Sequence, residues 1–183
     1  MSRLILVRHG EAAAGWGEDR DPGLSEEGRR QAEAMAAAVA PVGPLPIIVS
    51  PLRRTRETAA ALERMWATTA TVDSGVGEIT SPIDDLSERT TWLREFMAGT
   101  WDAAGADHTS WRLEVLDALG SIDEDTVVVT HFIAINAAVG AATGDRRVVS
   151  FMPGNCSRTV LDVDASGRLS LVELGGEALT VVN

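Results

Sequence analysis

Two of the three histidines in this chain of 183 residues stand in the same setting, each directly after a short apolar run. Leu4-Ile5-Leu6-Val7 stops at Arg8-His9-Gly10-Glu11, and Thr126-Val127-Val128-Val129-Thr130 stops at His131. A further apolar run, Ile47-Ile48-Val49, leads through Ser50-Pro51-Leu52 into a cluster of arginines at 53, 54 and 56. Two imidazoles and at least two guanidiniums brought together would form a small cationic pocket, and the anion that best matches it is a phosphoryl group. Arginine supplies permanently charged donors in a fork that fits phosphate oxygens. One imidazole can attack while the other donates a proton. A lone histidine at a strand end is more often structural, but two in equivalent positions beside arginines favour chemistry.

The elements that must position these residues follow from patterning. The continuous apolar run 4–7 reads as a strand buried on both faces. Residues 11–24, with Gly15, Trp16, Gly17, Pro22 and Gly23, read as a loop able to lie over whatever Arg8 and His9 bind. Ser25 as N-cap, with Glu26 and Glu27 in the first turn, predicts a helix from about 26 to 40. After the strand 47–49, Ser50 as cap and Pro51 at the first helical position predict a second helix beginning there. Its arginines then crowd the end where the helix dipole disfavours cations, a conflict that a bound anion among them resolves. Solvated pairing with Glu57 or another helix acid is the plainer alternative, above all for Arg53 or Arg56 alone.

A brief strand at 71–73 precedes a long excursion, residues 74–125, with helices expected at 88–97 and 110–119. Trp92, Leu93 and Phe96 share one face, and Trp111, Val115, Leu116 and Leu119 another; both stripes read as core. Trp16, Trp92, Phe96 and Trp101 could also line a pocket for an organic group. The strand 126–130 leads into a helix opening at His131 and running to about 142. Alternating apolar residues at 158–164 and 168–174, around Ala165-Ser166-Gly167, read as a hairpin. The pattern predicts an α/β fold, a three-layer α/β/α arrangement with a mostly parallel sheet and an antiparallel C-terminal edge hairpin, in a single domain over 1–183. His9, Arg54 and His131 all follow strand carboxyl ends, so such a sheet brings them to one rim.

Composition narrows the partners. The net charge of -11 argues against nucleic-acid binding, which requires lysines and arginines to displace counterions. The single cysteine, Cys156, cannot form an intramolecular disulfide and reads as a small buried or half-buried residue. No Cys or His cluster has metal-ligand spacing, so neither a metal nor another cofactor is expected. No apolar run approaches the roughly 18 residues of a membrane span, and no signal-peptide core follows Arg3, so a soluble cytoplasmic protein is expected. The oligomeric state is not readable.

Arg8-His9-Gly10-Glu11, the Leu24-Ser25-Glu26-Glu27-Gly28-Arg29-Arg30-Gln31-Ala32 segment, Ser50-Pro51-Leu52-Arg53-Arg54-Thr55-Arg56-Glu57-Thr58-Ala59 and Thr130-His131, in this order and spacing, resemble the histidine phosphatase superfamily, also called the phosphoglycerate mutase-like family. The resemblance covers 3–60 and 126–140 well and the excursion poorly. It implies that His9 is the nucleophile and is transiently phosphorylated, and that Arg8 and Arg54 clamp the phosphoryl oxygens with Gly10 beside them. His131 would be the second histidine of the pocket. Glu78, in Gly77-Glu78-Ile79, is the candidate proton donor to the leaving oxygen, with Asp73 and Asp84 as rivals. The chain departs from the family pattern in having Phe132 and Ile133 after the second histidine, where two glycines are frequent, and in Thr55 and Ala12.

The implied activity is a metal-independent phosphatase, a histidine acid phosphatase-type phosphoric monoester hydrolase acting on a small phosphorylated metabolite. The alternatives are a phosphohistidine protein phosphatase acting on a phosphoprotein, a phosphoglycerate mutase-like phosphotransferase, and a non-catalytic module that binds a phosphorylated ligand. An attackable imidazole kept together with both arginines and His131 speaks against the last.

Overall fold

In β1 (Ser2–Arg8), Leu4 and Leu6 enter one hydrophobic cluster and Ile5 and Val7 another, the two-residue period of a strand covered on both faces. The computed structural model describes residues 1–177. The remaining elements are α1 (Glu26–Val39), β2 (Ile47–Val49), α2 (Arg53–Trp66), β3 (Thr71–Val72), α3 (Leu86–Met97), α4 (Ala106–Gly120), β4 (Thr126–Thr130), α5 (Phe132–Thr143), β5 (Arg158–Val163) and β6 (Leu169–Glu173). One six-stranded sheet has the order β3-β2-β4-β1-β5-β6. β3, β2, β4 and β1 are parallel, whereas β5 and β6 form the antiparallel hairpin at one edge, as the sequence predicts.

Helices α1 and α2 cover one face through Ala32, Met35, Ala36, Ala59 and Leu62. Helices α4 and α5 cover the other through Val115, Leu119, Ile135 and Val139, giving the three layers. α5 is apolar nearly all round, and its residues 132–140 are buried, as befits a helix enclosed on every side. Ser25 caps α1 by accepting from Gly28 N at 2.9 Å. Among the described residues, no helix is long and apolar enough to cross a membrane.

Three helix starts differ from the sequence expectation. α2 begins at Arg53, two residues later than a Ser50 cap requires, because the Ser50 hydroxyl is turned to His131. Asp21, from the loop after β1, accepts from Arg53 N at 2.7 Å in its place. α4 begins at Ala106 rather than 110, after Gly105, whose φ of 81° turns the chain into the helix. α3 also starts slightly early, at Leu86, behind an Asp85 cap.

Candidate active site

Parallel pairing of β1, β4 and β2 places Arg8 opposite Thr130 and Val49 opposite Val129. His9, Ser50 and His131 are therefore the first residues beyond three adjacent strands. Backbone bonds fix this level: His9 N donates to Thr130 O at 3.1 Å, and Ser50 N to Val129 O at 3.1 Å. β5 runs the other way, so the segment entering it reaches the same rim, where Cys156 N donates to Arg8 O at 3.0 Å.

His9 is buried, and its Nδ1 lies 2.7 Å from Gly10 O. A carbonyl only accepts, so Nδ1 carries the proton and Nε2 presents a lone pair to the pocket. Arg54 Nε donates to that atom at 3.3 Å. Burial first, and then the neighbouring His131 and the charges of Arg54 and Arg8, push the His9 pKa well below the usual 6.5, so the ring is neutral. Gly10 N donates to Thr58 Oγ1 at 3.0 Å, and a Cβ on Gly10 would stand 2.6 Å from Gly28 O, so the strand end packs directly on α1.

The arginines divide as their neighbours dictate. Arg54 is buried, and its Nη2 lies 3.4 Å from Glu78 Oε2. Arg53 is exposed and paired with Glu57 at 2.7 Å, the plainer alternative, and Arg56 is exposed. Arg8 donates through Nη1 to Pro153 O at 2.8 Å, and its Cζ sits 5.2 Å from the centroid of Phe132. Phe132 thus gives Arg8 an aromatic floor where two glycines would give none. Burial lowers Arg8 to about 10 against the pull of Glu78, which leaves it charged at neutral pH.

His131 is wholly buried between Ser50 Oγ, 2.7 Å from Nε2, and Glu78 Oε2, 3.2 Å from Nδ1. Its pKa is lowered by burial, with Glu78 opposing and Arg54 and Arg8 adding to the shift. A neutral ring beside a carboxylate keeps its proton on Nδ1, so the Ser50 hydroxyl donates to Nε2. Glu78 follows a 3-10 turn, Ser74–Val76, that Thr130 Oγ1 ties to β4 by donating to Val76 O at 2.6 Å. Burial pushes the Glu78 carboxyl up, but His131, Arg54 and His9 outweigh it and hold it at about 2. The rivals for its place lie elsewhere: Asp73 caps the same turn through Gly75 N at 2.8 Å, and the Asp84 side chain is fully exposed. His9, Glu78 and His131 place ligand atoms within 4.8 Å of one another, the donor set of a metal site. The Arg54 guanidinium already contacts all three, so a dication there would meet a permanent positive charge.

In front of His9 opens a cavity of about 790 Å³, walled by the 12–22 loop, the segment 77–81, α3 and Phe132. Of the four aromatic residues weighed as pocket-forming, Trp16 reaches this cavity. Trp92 and Phe96 stack behind it and Trp101 meets Phe96 edge-on, with centroid spacings of 5.2 to 6.2 Å from Trp16 onward. The sequence reading missed the hold of Ser50 on His131, the Thr58 contact to Gly10 and the presence of Arg89 in the cavity. Ser50 could have been found from its place at a strand end beside the arginines; nothing local marks Arg89.

Comparison with known proteins agrees with this geometry. A model of the histidine phosphatase superfamily, branch 1, matches residues 4–174. The probable phosphoglycerate mutase GpmB of Escherichia coli is 28% identical over 97% of this chain and 94% of its own length. Among solved structures, phosphoserine phosphatase from Entamoeba histolytica, in complex with 3-phosphoglyceric acid, superposes with a TM-score of 0.75 at 21% identity, covering 96% of this chain and 98% of that one. Mycobacterial glucosyl-3-phosphoglycerate phosphatase gives 0.70 at 22% identity, covering 97% and 100%.

Proposed function

The chain belongs to the histidine phosphatase superfamily, and from that premise we propose that it is a phosphatase that hydrolyses a small phosphate monoester through a phosphohistidine on His9, without a metal ion. The observation that carries this reading is the neutral His9 ring, with Nδ1 tied to Gly10 O and Nε2 facing Arg54. An imidazole in that tautomer is a nucleophile needing no proton removed before it attacks.

In the first step His9 Nε2 attacks phosphorus in line while the bond from phosphorus to the leaving oxygen breaks. Glu78 gives that oxygen its proton. Arg8 and Arg54 hold the phosphoryl oxygens as charge shifts among them, the part that magnesium plays in other phosphoryl-transfer sites. His131, kept in one tautomer by Ser50, donates Nδ1–H toward the group. In the second step water attacks phosphorus, Glu78 accepts the water's proton, and the nitrogen–phosphorus bond breaks, restoring His9 and releasing phosphate. The cavity of about 790 Å³ exceeds what a phosphoryl group fills, so it has room for the leaving group and then for water. The substrates for which the two phosphatase neighbours are named, phosphoserine and glucosyl-3-phosphoglycerate, are phosphate monoesters, which supports the class.

Incubation with a radiolabelled phosphate ester followed by rapid quench should trap label on His9 in acid-labile, alkali-stable form. Replacement by alanine should abolish the label, and a His9→Ala protein that turned over esters at the wild-type rate would end this mechanism. Measuring phosphate release beside isomer interconversion on phosphoglycerates separates a phosphatase from the mutase that the Escherichia coli relative's name suggests.

A further inference from the structure

The cavity extends past His9 to another cation. α3 turns Arg89, Leu93 and Met97 to it, residues spaced four apart and so on one helix face. The Arg89 guanidinium lies over the indole of Trp16, 4.7 Å from the ring centroid, and Trp16 stacks on Trp92 at 6.2 Å. The loop carrying Trp16 is packed directly on α3, since a Cβ on Gly17 would come within 2.9 Å of Thr90 Oγ1 and 3.0 Å of Leu86 O. Arg89 is thus held in a set position before any ligand arrives.

Its hydrogen-bonding capacity is unspent. Nε and Nη1 of Arg89 are shielded from solvent and have no partner among the described residues. Desolvated N–H groups of a cation without an acceptor are costly. Neighbouring charges along the cavity wall are engaged with their own loops. Glu18 accepts from Gly15 N at 2.8 Å, Asp19 from Asp21 N at 3.0 Å, and Glu11 from Ser25 Oγ at 2.7 Å. Arg20 donates to Asp84 O at 2.7 Å. Burial first, and then the positive charges of Arg20 and Arg54, lower the pKa of Arg89 against the pull of Glu78.

We infer that Arg89, laid flat on Trp16, seats a second anionic group on the leaving-group side, so that the substrate is a phosphate monoester carrying a carboxylate or a second phosphate. This rests on the His9 end of the cavity being the phosphate site. A neutral or cationic leaving group would leave Arg89 as it is now, shielded and unpaired. The apolar wall of Leu93 and Met97 between the two ends suits a short carbon skeleton linking the two anions.

The test uses His9→Ala protein, which binds without turnover, and calorimetry on matched pairs. 3-Phosphoglycerate against glycerol 3-phosphate reports a carboxylate, and fructose 1,6-bisphosphate against fructose 6-phosphate reports a second phosphate. At least one doubly anionic member should bind roughly 10- to 100-fold more tightly than its partner, the factor that one charged hydrogen-bonded contact confers. Arg89→Met, which keeps an apolar stem over Trp16, should erase the difference and leave glycerol 3-phosphate unaffected; Arg89→Lys should restore part of it. Equal affinities within both pairs, or a preference that survives Arg89→Met, overturns the inference. Failure of the phosphohistidine reading looks different: no label on His9 in the otherwise unaltered enzyme, whatever the binding preference.

Discussion

Glu78 sets a problem that its surroundings also solve. A carboxyl held at about 2 is ionised at neutral pH and has no proton to give a leaving group. The partners that keep it there, His131 at 3.2 Å and Arg54 at 3.4 Å, are also the groups that a phosphate dianion would engage. Binding would then withdraw stabilisation from the carboxylate and add negative charge beside it, and both effects raise its pKa. Phosphate binding near pH 7 should therefore take up protons, read from calorimetry in buffers of different ionisation enthalpy. Glu78→Gln should lower that uptake, and an unchanged value would assign the proton to the ligand. Much of this was readable from residue types: His9, Arg54 and His131 stand out by what precedes them. Glu78 was the sequence candidate with Asp73 and Asp84 as rivals, and only coordinates show which of the three meets His131 and Arg54, because loop acids look alike until their partners separate them.

At the scale of elements, the contact between the end of β1 and α1 fixes the backbone beside His9. A Cβ on Gly28 would stand 2.1 Å from Glu11 O, a backbone atom that cannot step aside. Glycine to alanine within a helix ordinarily gains about 0.5–1 kcal/mol. Here the sign reverses, and Gly28→Ala should cost at least the roughly 1–3 kcal/mol of an overpacked site, seen as a lower midpoint in denaturant melts, and should depress turnover by shifting Gly10. Strands and the α1 cap were legible because they rest on local chemistry: continuous apolar runs, and a serine before two glutamates. The start of α2 was not, since Ser50 answers to a histidine eighty-one positions away in sequence. Nor was the cavity-facing side of α3, where Arg89, Leu93 and Met97 look like a mixed surface until Trp16 is laid across them.

For the molecule as a whole, two buried imidazoles tie stability to pH. Folded His9 and His131 have pKa values below the ordinary 6.5, so the unfolded chain binds protons that the folded chain refuses. Their contribution is present above about pH 6.5 and is lost as pH falls beneath it; that of Glu78 is lost later, as pH falls from about 4.5 toward about 2. Unfolding free energy should accordingly decline between pH 7 and 5, and His9→Gln should flatten the slope by up to one proton, about 1.4 kcal/mol per pH unit. A slope unchanged by that substitution would mean that His9 is charged in the folded state. The alternation of strands and helices made the layered sheet and its edge hairpin predictable, while the composition, with its net charge of -11, concealed the arginines gathered around the two histidines. The direction of β5 has one more use. Because Ser2 pairs with Val163, the exposed turn at 164–168 sits at the sheet end remote from His9, about 20 Å away at strand spacing. A tether fixed at Ser166 would anchor the molecule to a bead or electrode with its mouth facing outward.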